Sequence, residues 1–441
     1  MNLVGEVIDY SHQGQGVVKI DNFIYFINNV LIGEIIEFQV IKKNKRYGFG
    51  KVIKIIEASN NRYQLNCSYD NCYNCNLKNM NYKEQVLFKK KAITNTLIKA
   101  KLSINDIDFI ENDHCLNYRN KIVLHFTKNE DNKIKLGYFI NKKLDINIIN
   151  ECLLVNDNIN HIIKELNIIL NDCHLSIYDY HKKNGILKHL IIRINYQNDF
   201  LIGIVINDNK VNDELNNLIN KISNLVNVKG IIINFNQLNN SLLFSNNSIL
   251  SYGKEYIIDH ILDYQFRISI NSFYQVNSYM LTKLYTKAIE IANFNKNDIV
   301  LDAYCGVGTI SMLVSKYVNK VIGVDIVKEA INDACYNQEL NNINNINFIC
   351  SDVNDYLNNF SKDITSVILD PPRSGASLSF LKTLINNNIN KIIYISCNPA
   401  TLARDLKILE DNNYSINKVV GVDMFSYTYH VEAITLIELK N

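Results

Sequence analysis

Residues 2–58 carry short β-branched runs, VGEVIDY, GVVKI, FIYFI, EIIEFQVI and GKVIKII, punctuated by Gly14, Gly16, Gly33, Gly48 and Gly50. Apolar runs of that length between turn residues predict strands. Packed into so short a stretch, they predict a small closed barrel, the arrangement that leaves no edge strand unpaired. Between 111 and 265 strand and helix patterns alternate. YRNKIVLHF (118–126), HLIIRINY (189–196) and GIIINF (230–235) read as strands. NDNINHIIKELNIIL (156–170) sets isoleucine and leucine three and four residues apart, the period of an amphipathic helix. From 299 onward the strands are IVLDAYCG, KVIGVDI, INFICSDV, SVILDPP, KIIYISCN, INKVVGVDMF and AITLIEL. Helical stretches separate the first six and a short loop separates the last two, which predicts a doubly wound parallel sheet ending in an antiparallel hairpin.

Composition narrows the class without naming a function. The chain has 441 residues, 47% hydrophobic and 20% charged, as expected of a soluble protein of several domains. The divisions expected are 1–58 for the barrel, 59–265 for a central α+β domain and 266–441 for the α/β domain. A formal net charge of +2 does not mark a nucleic-acid binder. The basic runs at Lys42–Arg46 and Lys89–Lys91 read first as solvated surface, with phosphate contact the alternative. The first residues, MNLVGEVIDY, do not follow a basic stretch with an apolar run, and no segment reaches membrane-span length. A cytoplasmic chain with no membrane partner is therefore expected, and its ten cysteines should be reduced, metal-bound or catalytic rather than disulfide-paired.

Candidate chemistry lies at the ends of the later strands. Asp302-Ala-Tyr304-Cys-Gly306-Val-Gly308-Thr309 follows a buried-type strand and opens a helix, and its glycines let backbone approach a ligand. Asp325 ends the next strand, placed to accept hydrogen bonds from ribose hydroxyls, and Asp352 ends the third, where an adenine edge is expected. The GxGxxG of NAD binders is absent, which favours S-adenosylmethionine. Two of the three prolines of the chain follow Asp370 in DPPR, and the third, Pro399, follows Cys397 and Asn398. Asn398 suits a helix N-cap and Pro399 the first helical position, so Cys397 should face a helix N-terminus that lowers its pKa. His430 and Glu432, separated by one residue in the last loop, should point to the same side. His125 and His189 sit in strand patterns and read as structural. Upstream, Cys67, Cys72 and Cys75 form C-x4-C-x2-C. In a reducing compartment that spacing signals a metal site needing a fourth thiol, with Cys115, Cys152 and Cys173 the candidates, and spacing does not separate zinc from iron–sulfur.

GTISM, ILDPPRSGA, YISCNPATLARDL and DMFSYTYHVEAI, with NSFYQVNS upstream, look like the successive motifs of the RNA uracil-C5 methyltransferase family. The order of elements in 2–58 resembles a TRAM domain, an RNA-binding barrel of the OB kind. The resemblance implies a C-terminal Rossmann-like class I methyltransferase domain. It also implies that Cys397 is the nucleophile and Glu432 the base. Gln275, Tyr304, Gly306, Gly308, Thr309, Asp325, Asp352 and Asp370 would form the methyl-donor site. Cys67, Cys72, Cys75 and Cys152 would ligate a [4Fe–4S] cluster, as in the ribosomal-RNA branch. The partner implied is 23S rRNA, with tRNA the alternative, acted on by a monomer. A different chemistry, transfer to an exocyclic nitrogen using DPPR, would need neither Cys397 nor Glu432. Three departures are visible: four residues rather than five separate Cys67 from Cys72, Tyr73-Asn74 and Leu65 stand where the family usually has GG and P, and Ser426 stands where it usually has proline.

Overall fold

The computed structural model describes residues 2–69, 72, 74–104, 107–139, 145–238, 243–360 and 363–440. Strands β1 (Asn2–Tyr10), β2 (Gly16–Ile20), β3 (Phe23–Ile27), β4 (Ile35–Lys43) and β5 (Tyr47–Glu57) close a barrel in the order β1-β2-β3-β5-β4. The pairing of β1 with β4 removes the edge. Val7, Val18, Ile27, Ile36 and Phe38 fill the interior with no exposed surface. The glycines noted in the sequence fall between or within these strands as turn and packing positions, and the expected strand set is observed.

Helix α1 (Tyr82–Lys99) follows, opened by Asn81, whose side chain accepts from the Glu84 N–H. Strand β6 (Asp108–Ile110) comes next. The central sheet uses β7 (Lys121–Lys128), β8 (Ile134–Phe139), β9 (Ile146–Ile148), β10 (Leu187–Ile194), β11 (Phe200–Ile206), β12 (Val228–Phe235) and β13 (Ser248–Gly253) in the order β13-β12-β11-β10-β7-β8-β9. Helices α2 (Asp157–Ile169) and α3 (Asp213–Ser223) cover one face with their periodic apolar residues, Ile159, Ile162, Ile163 and Leu166 from α2 and Leu215, Leu218, Ile219 and Ile222 from α3. Every residue of β11 is buried because the second face is covered too. There Ile191, Leu201 and Val205 share a core with Ile257 and Phe266 of the hairpin β14 (Tyr256–Ile261) and β15 (Tyr264–Ser269), and with Met280 and Leu284 of α4 (Ser278–Ala292). That hairpin spans residue 265, so hydrophobic burial runs continuously across the division expected there.

The last sheet contains β16 (Ile299–Ala303), β17 (Lys320–Asp325), β18 (Ile346–Cys350), β19 (Ser366–Leu369), β20 (Lys391–Ser396), β21 (Tyr414–Val422) and β22 (Glu432–Leu439). Between them run α5 (Thr309–Ser315), α6 (Lys328–Leu340), α7 (Val353–Phe360), α8 (Leu378–Asn386) and α9 (Pro399–Glu410). The order is β18-β17-β16-β19-β20-β22-β21-β6, an eight-stranded sheet rather than the seven expected. The additional strand, β6, is three residues long, too short to show a period in sequence, and comes from the segment expected to belong to the central domain. Helix α1 also packs against this sheet, with Ile93 and Leu97 buried beside Leu402 and Leu406 of α9. Strand order reverses at β16, between β17 and β19, which opens a crevice at the carboxyl ends of those strands. Among the described residues no helix is long and apolar enough to cross a membrane.

Candidate active site

The crevice begins at Asp302 in β16, buried and hydrogen-bonded by the Ser311 hydroxyl of α5. The turn that follows is unusual backbone. Tyr304, Gly306 and Gly308 all have positive φ, at 67°, 54° and 81°. The two glycines serve different needs. A Cβ on Gly308 would lie 2.5 Å from Phe348, so close packing forbids one. A Cβ on Gly306 would meet nothing within 4 Å, so this backbone faces open space, where a ligand could approach. The Gly306 N–H donates to Asp325 Oδ2 at 3.0 Å and Val327 N–H donates to Oδ1 at 2.9 Å, which fixes the carboxylate at the end of β17. Asp352 Oδ1 accepts from the N–H groups of Asn354 and Asp355 and so caps α7, just beyond the end of β18. Thr309 and Gln275 are buried, Tyr304 lies edge-on to Phe380, and the Gln275 carbonyl accepts from Asn120 at 3.0 Å.

Cys397 and Glu432 meet through the sheet register. Ser396 is opposite Ala433 in the antiparallel β20–β22 pair, so the next position outward sets Cys397 against Glu432. Asp370 follows Leu369, which is paired with Tyr394 of β20 on one side and Ala303 of β16 on the other. The loop after Asp370 is tied to α9. The Arg373 carbonyl accepts from Asn398 Nδ2 at 3.0 Å and from Thr401 Oγ1 at 3.3 Å. Fully buried Asp405 accepts from Ala376 N–H at 2.9 Å and from the Tyr394 hydroxyl at 2.7 Å. Asn398 also caps α9, accepting from Ala400 N–H, with Pro399 at the first helical position as expected. The nucleophile candidate and the DPPR loop are therefore tied to one helix.

The electrostatics depart from expectation. The Cys397 thiol is pushed up to about 11 by burial, by Glu432 and by Asp370, with Arg373 acting in the opposite direction. The helix N-terminus was expected to lower it, but a half-buried thiol facing two carboxyl groups is dominated by desolvation and like charge. Burial raises Asp370 and Asp302 to about 7 each, with the other carboxyls of the crevice adding to Asp302. Glu432, 3% exposed, is held well above the ordinary carboxylate range by burial and then by Asp370, with Arg373 opposing. His430 is lowered to about 4 by burial and by the nearby cations Arg373, Lys89 and Arg119, so its imidazole is neutral at pH 7.

Cys397 opens onto a groove of about 410 Å³ between the barrel, α1 and the last sheet. Its walls include Tyr10 and His12 from the barrel, Lys91 and Lys99 from α1, and Arg373 and His430. Two of its features were not legible in the sequence. Arg373, a cation acting on both Cys397 and Glu432, has as its sequence signal a place after DPP. The run Lys89–Lys91, read as solvated surface, is corrected: Lys89 is fully buried in an ion pair with Asp423. Helix α1 turns it inward while Lys91 lines the groove.

The cysteine motif lies in a separate cavity. Cys67, Cys72, Cys75 and Cys152 line one small, largely apolar cavity with Leu65, Tyr69, Tyr138 and Ile149. Of the three candidates for the fourth thiol, Cys152 is thus the one brought in. Cys115 instead donates to the Asn112 carbonyl at 3.1 Å, and Cys173 packs against the central core. Among the described residues no three His, Cys, Asp or Glu side chains converge closely enough to hold a single ion. Zinc needs its sulfur ligands about 2.3 Å from one point. His125 and His189 are a hydrogen-bonded pair, Nδ1 to Nδ1 at 2.9 Å, joined by the Tyr180 hydroxyl.

Residues 81–440 match the family model described as tRNA (uracil-5-)-methyltransferase. A Staphylococcus aureus protein described as an uncharacterized RNA methyltransferase is 37% identical over 445 residues, covering 99% of this chain and 98% of its own. An uncharacterized RNA methyltransferase of Clostridium tetani is 37% identical over 433 residues, covering 96% and 94%. Among solved structures, the tRNA (uracil-54, C5)-methyltransferase of Pyrococcus abyssi in complex with S-adenosyl-L-homocysteine is 25% identical, with a TM-score of 0.79 and coverage of 98% and 99%.

The raised thiol gives a direct test of the site's electrostatics. Iodoacetamide labelling of Cys397, followed by mass spectrometry of its peptide, should accelerate without a plateau up to about pH 9.5, a unit above the ordinary thiol value of about 8.5. In Glu432→Gln the profile should shift to lower pH, because one of the carboxyls opposing the thiolate is gone.

Proposed function

The chain belongs to the RNA uracil-5-methyltransferase family, and on that premise we propose that it methylates C5 of a uridine in RNA through a covalent bond from Cys397 to uracil C6. The observation that carries this reading is the β20–β22 register, which sets a thiol and a buried carboxyl side by side at the crevice edge. Uracil C5 is a weak nucleophile. The Cys397 thiol loses its proton to water, and addition of the resulting thiolate to C6 forms an S–C6 bond and moves the C5–C6 π electrons toward the C4 carbonyl as an enolate. C5 then has the electron density to take a methyl group. Glu432 removes the remaining C5 proton, the C–H pair re-forms the C5–C6 double bond, and the S–C6 bond breaks to return the thiolate. Burial raises the Glu432 pKa, so the carboxylate, once ionised, is a stronger base for that proton.

S-adenosyl-L-methionine supplies the electrophilic methyl group when bound. The open space at Gly306 and the fixed Asp325 carboxylate fit such a ligand. Tyr304, Gly308, Thr309, Gln275, Asp352 and Asp370 are assigned to the same site by the family resemblance. A base within a helix cannot present C6 to a thiol, so the uridine must be unpaired or turned out of its stack. The groove at Cys397, with Lys91, Lys99 and Arg373 on its walls, suits a strand of RNA held by its phosphates. The barrel then acts as a TRAM domain, forming one wall. Transfer to an exocyclic nitrogen leaves Cys397 and Glu432 without a task.

We assign Cys67, Cys72, Cys75 and Cys152 as ligands of a [4Fe–4S] cluster, on the family resemblance and on their lining one cavity. By resemblance this favours 23S rRNA as substrate. The second reading, tRNA, is favoured by the Pyrococcus abyssi likeness.

Cys397→Ala should abolish methylation. Glu432→Gln should accumulate an RNA-linked protein band on denaturing gels, and absence of that band would remove Glu432 from the role of base. Anaerobically purified protein should be brown, with broad visible absorption that Cys152→Ala weakens; a colourless, zinc-containing protein contradicts the cluster. Mass mapping of 5-methyluridine in cells lacking this protein should show a loss in 23S rRNA, whereas a loss confined to tRNA establishes the second reading.

A further inference from the structure

The loop between β21 and β22 carries His430 and delivers Glu432, yet it contains no regular structure of its own. Its root is held by Ile110 of β6, whose carbonyl accepts from the Asp423 N–H at 3.0 Å, and by a group of side chains from α1. Lys89, in α1, is fully buried; its ammonium donates to Asp423 Oδ1 and to the Phe425 carbonyl, the latter at 2.9 Å. The other Asp423 oxygen accepts from the Tyr82 hydroxyl at 3.0 Å, also from α1, and from Ser426 Oγ at 2.8 Å. One helical turn from Lys89, Gln85 accepts from the Tyr427 N–H at 2.8 Å. Asp423 directly follows Val422, the residue paired with Glu432. The charged contact thus lies at the root of the loop, one position from the pairing that places the base.

From this geometry we infer that Lys89 is a positioning residue for proton removal from C5: its buried ion pair with Asp423 holds the loop in the one arrangement that aims Glu432 at the adduct. An ion pair is a poor choice if burial alone is wanted, because apolar side chains of similar volume are commonly as stabilising. What it adds is direction. The ammonium satisfies a carboxylate and a carbonyl at once, and the carboxylate is in turn held by two hydroxyls, so the loop has little freedom to shift. Ser426 follows from the same network. Its hydroxyl donates to Asp423 and accepts from Asn112 Nδ2 at 2.9 Å, a pair of bonds that proline at this position could not make. Helix α1 thereby couples the wall of the groove to the base.

The inference rests on the assignment of Cys397 and Glu432 as nucleophile and base, and its test separates the two. Lys89→Met, and the double variant Lys89→Met/Asp423→Asn that leaves no unpaired buried charge, are compared with wild type for folding, steady-state kinetics and adduct on denaturing gels. If Lys89→Met does not fold, the double variant carries the same measurements. Misplacing a catalytic group by about 1 Å costs on the order of 100-fold. A kcat reduced by about that factor is expected, with the KM for RNA within about twofold. The RNA-linked form should become the main species during turnover, because methylation precedes the impaired step. A folded variant with wild-type kcat and no added adduct overturns the inference, as does a loss confined to KM. If Glu432→Gln itself traps no adduct, the underlying assignment fails instead.

Discussion

The antiparallel entry of β22 into an otherwise parallel sheet is the constraint on which the site depends. In a doubly wound sheet every parallel strand presents its carboxyl end to the ligand crevice. A residue at the start of a strand reaches that edge only if its strand runs the other way. Glu432 begins β22 and Cys397 follows the end of β20, and the antiparallel pairing of these neighbours brings both to one edge. Asp370, at the end of β19, completes the group from the other side of β20. A slip of one residue in that register would turn Glu432 to the opposite face of the sheet and separate it from the thiol.

That edge is also where the protein accepts unfavourable electrostatics. Asp302, Asp370 and Glu432 are all raised above ordinary carboxylate values by burial, and Cys397 is raised beside them. Arg373 is felt by both Cys397 and Glu432. Groups that destabilise one another in a half-closed crevice are expected where chemistry, rather than folding, has set the residue choice. The surrounding structure is correspondingly stiff. Asp405, Tyr394, Asn398 and Thr401 lock the DPPR loop to α9, and α1 holds the loop before Glu432. The segment joining barrel and central sheet is in this sense part of the methyltransferase unit.

Local patterns are legible in the sequence where the chemistry is local. The barrel strands, the period of α2, the cap and proline that open α9 and the glycine turn after β16 each follow from short-range rules of backbone and burial. Strand β6 was missed because three residues carry no period. The Cys397 thiol was expected to be low because a helix N-terminus is visible in sequence, whereas the two carboxyl groups facing it come from strands 27 residues before and 35 residues after it. Lys89 looked like surface because neighbouring lysines usually are, and its partner Asp423 lies 334 positions away.

The amino-acid sequence by itself determined most of the secondary elements and the class of the last domain, and it marked Cys397 and Glu432 as candidate reacting groups, since these depend on spacing along the chain. The tertiary structure alone decided which thiol completes the cysteine cavity, which lysine is buried, and what each ionisable group feels. Those outcomes depend on desolvation and on charges brought close by folding, and neither can be counted along a chain.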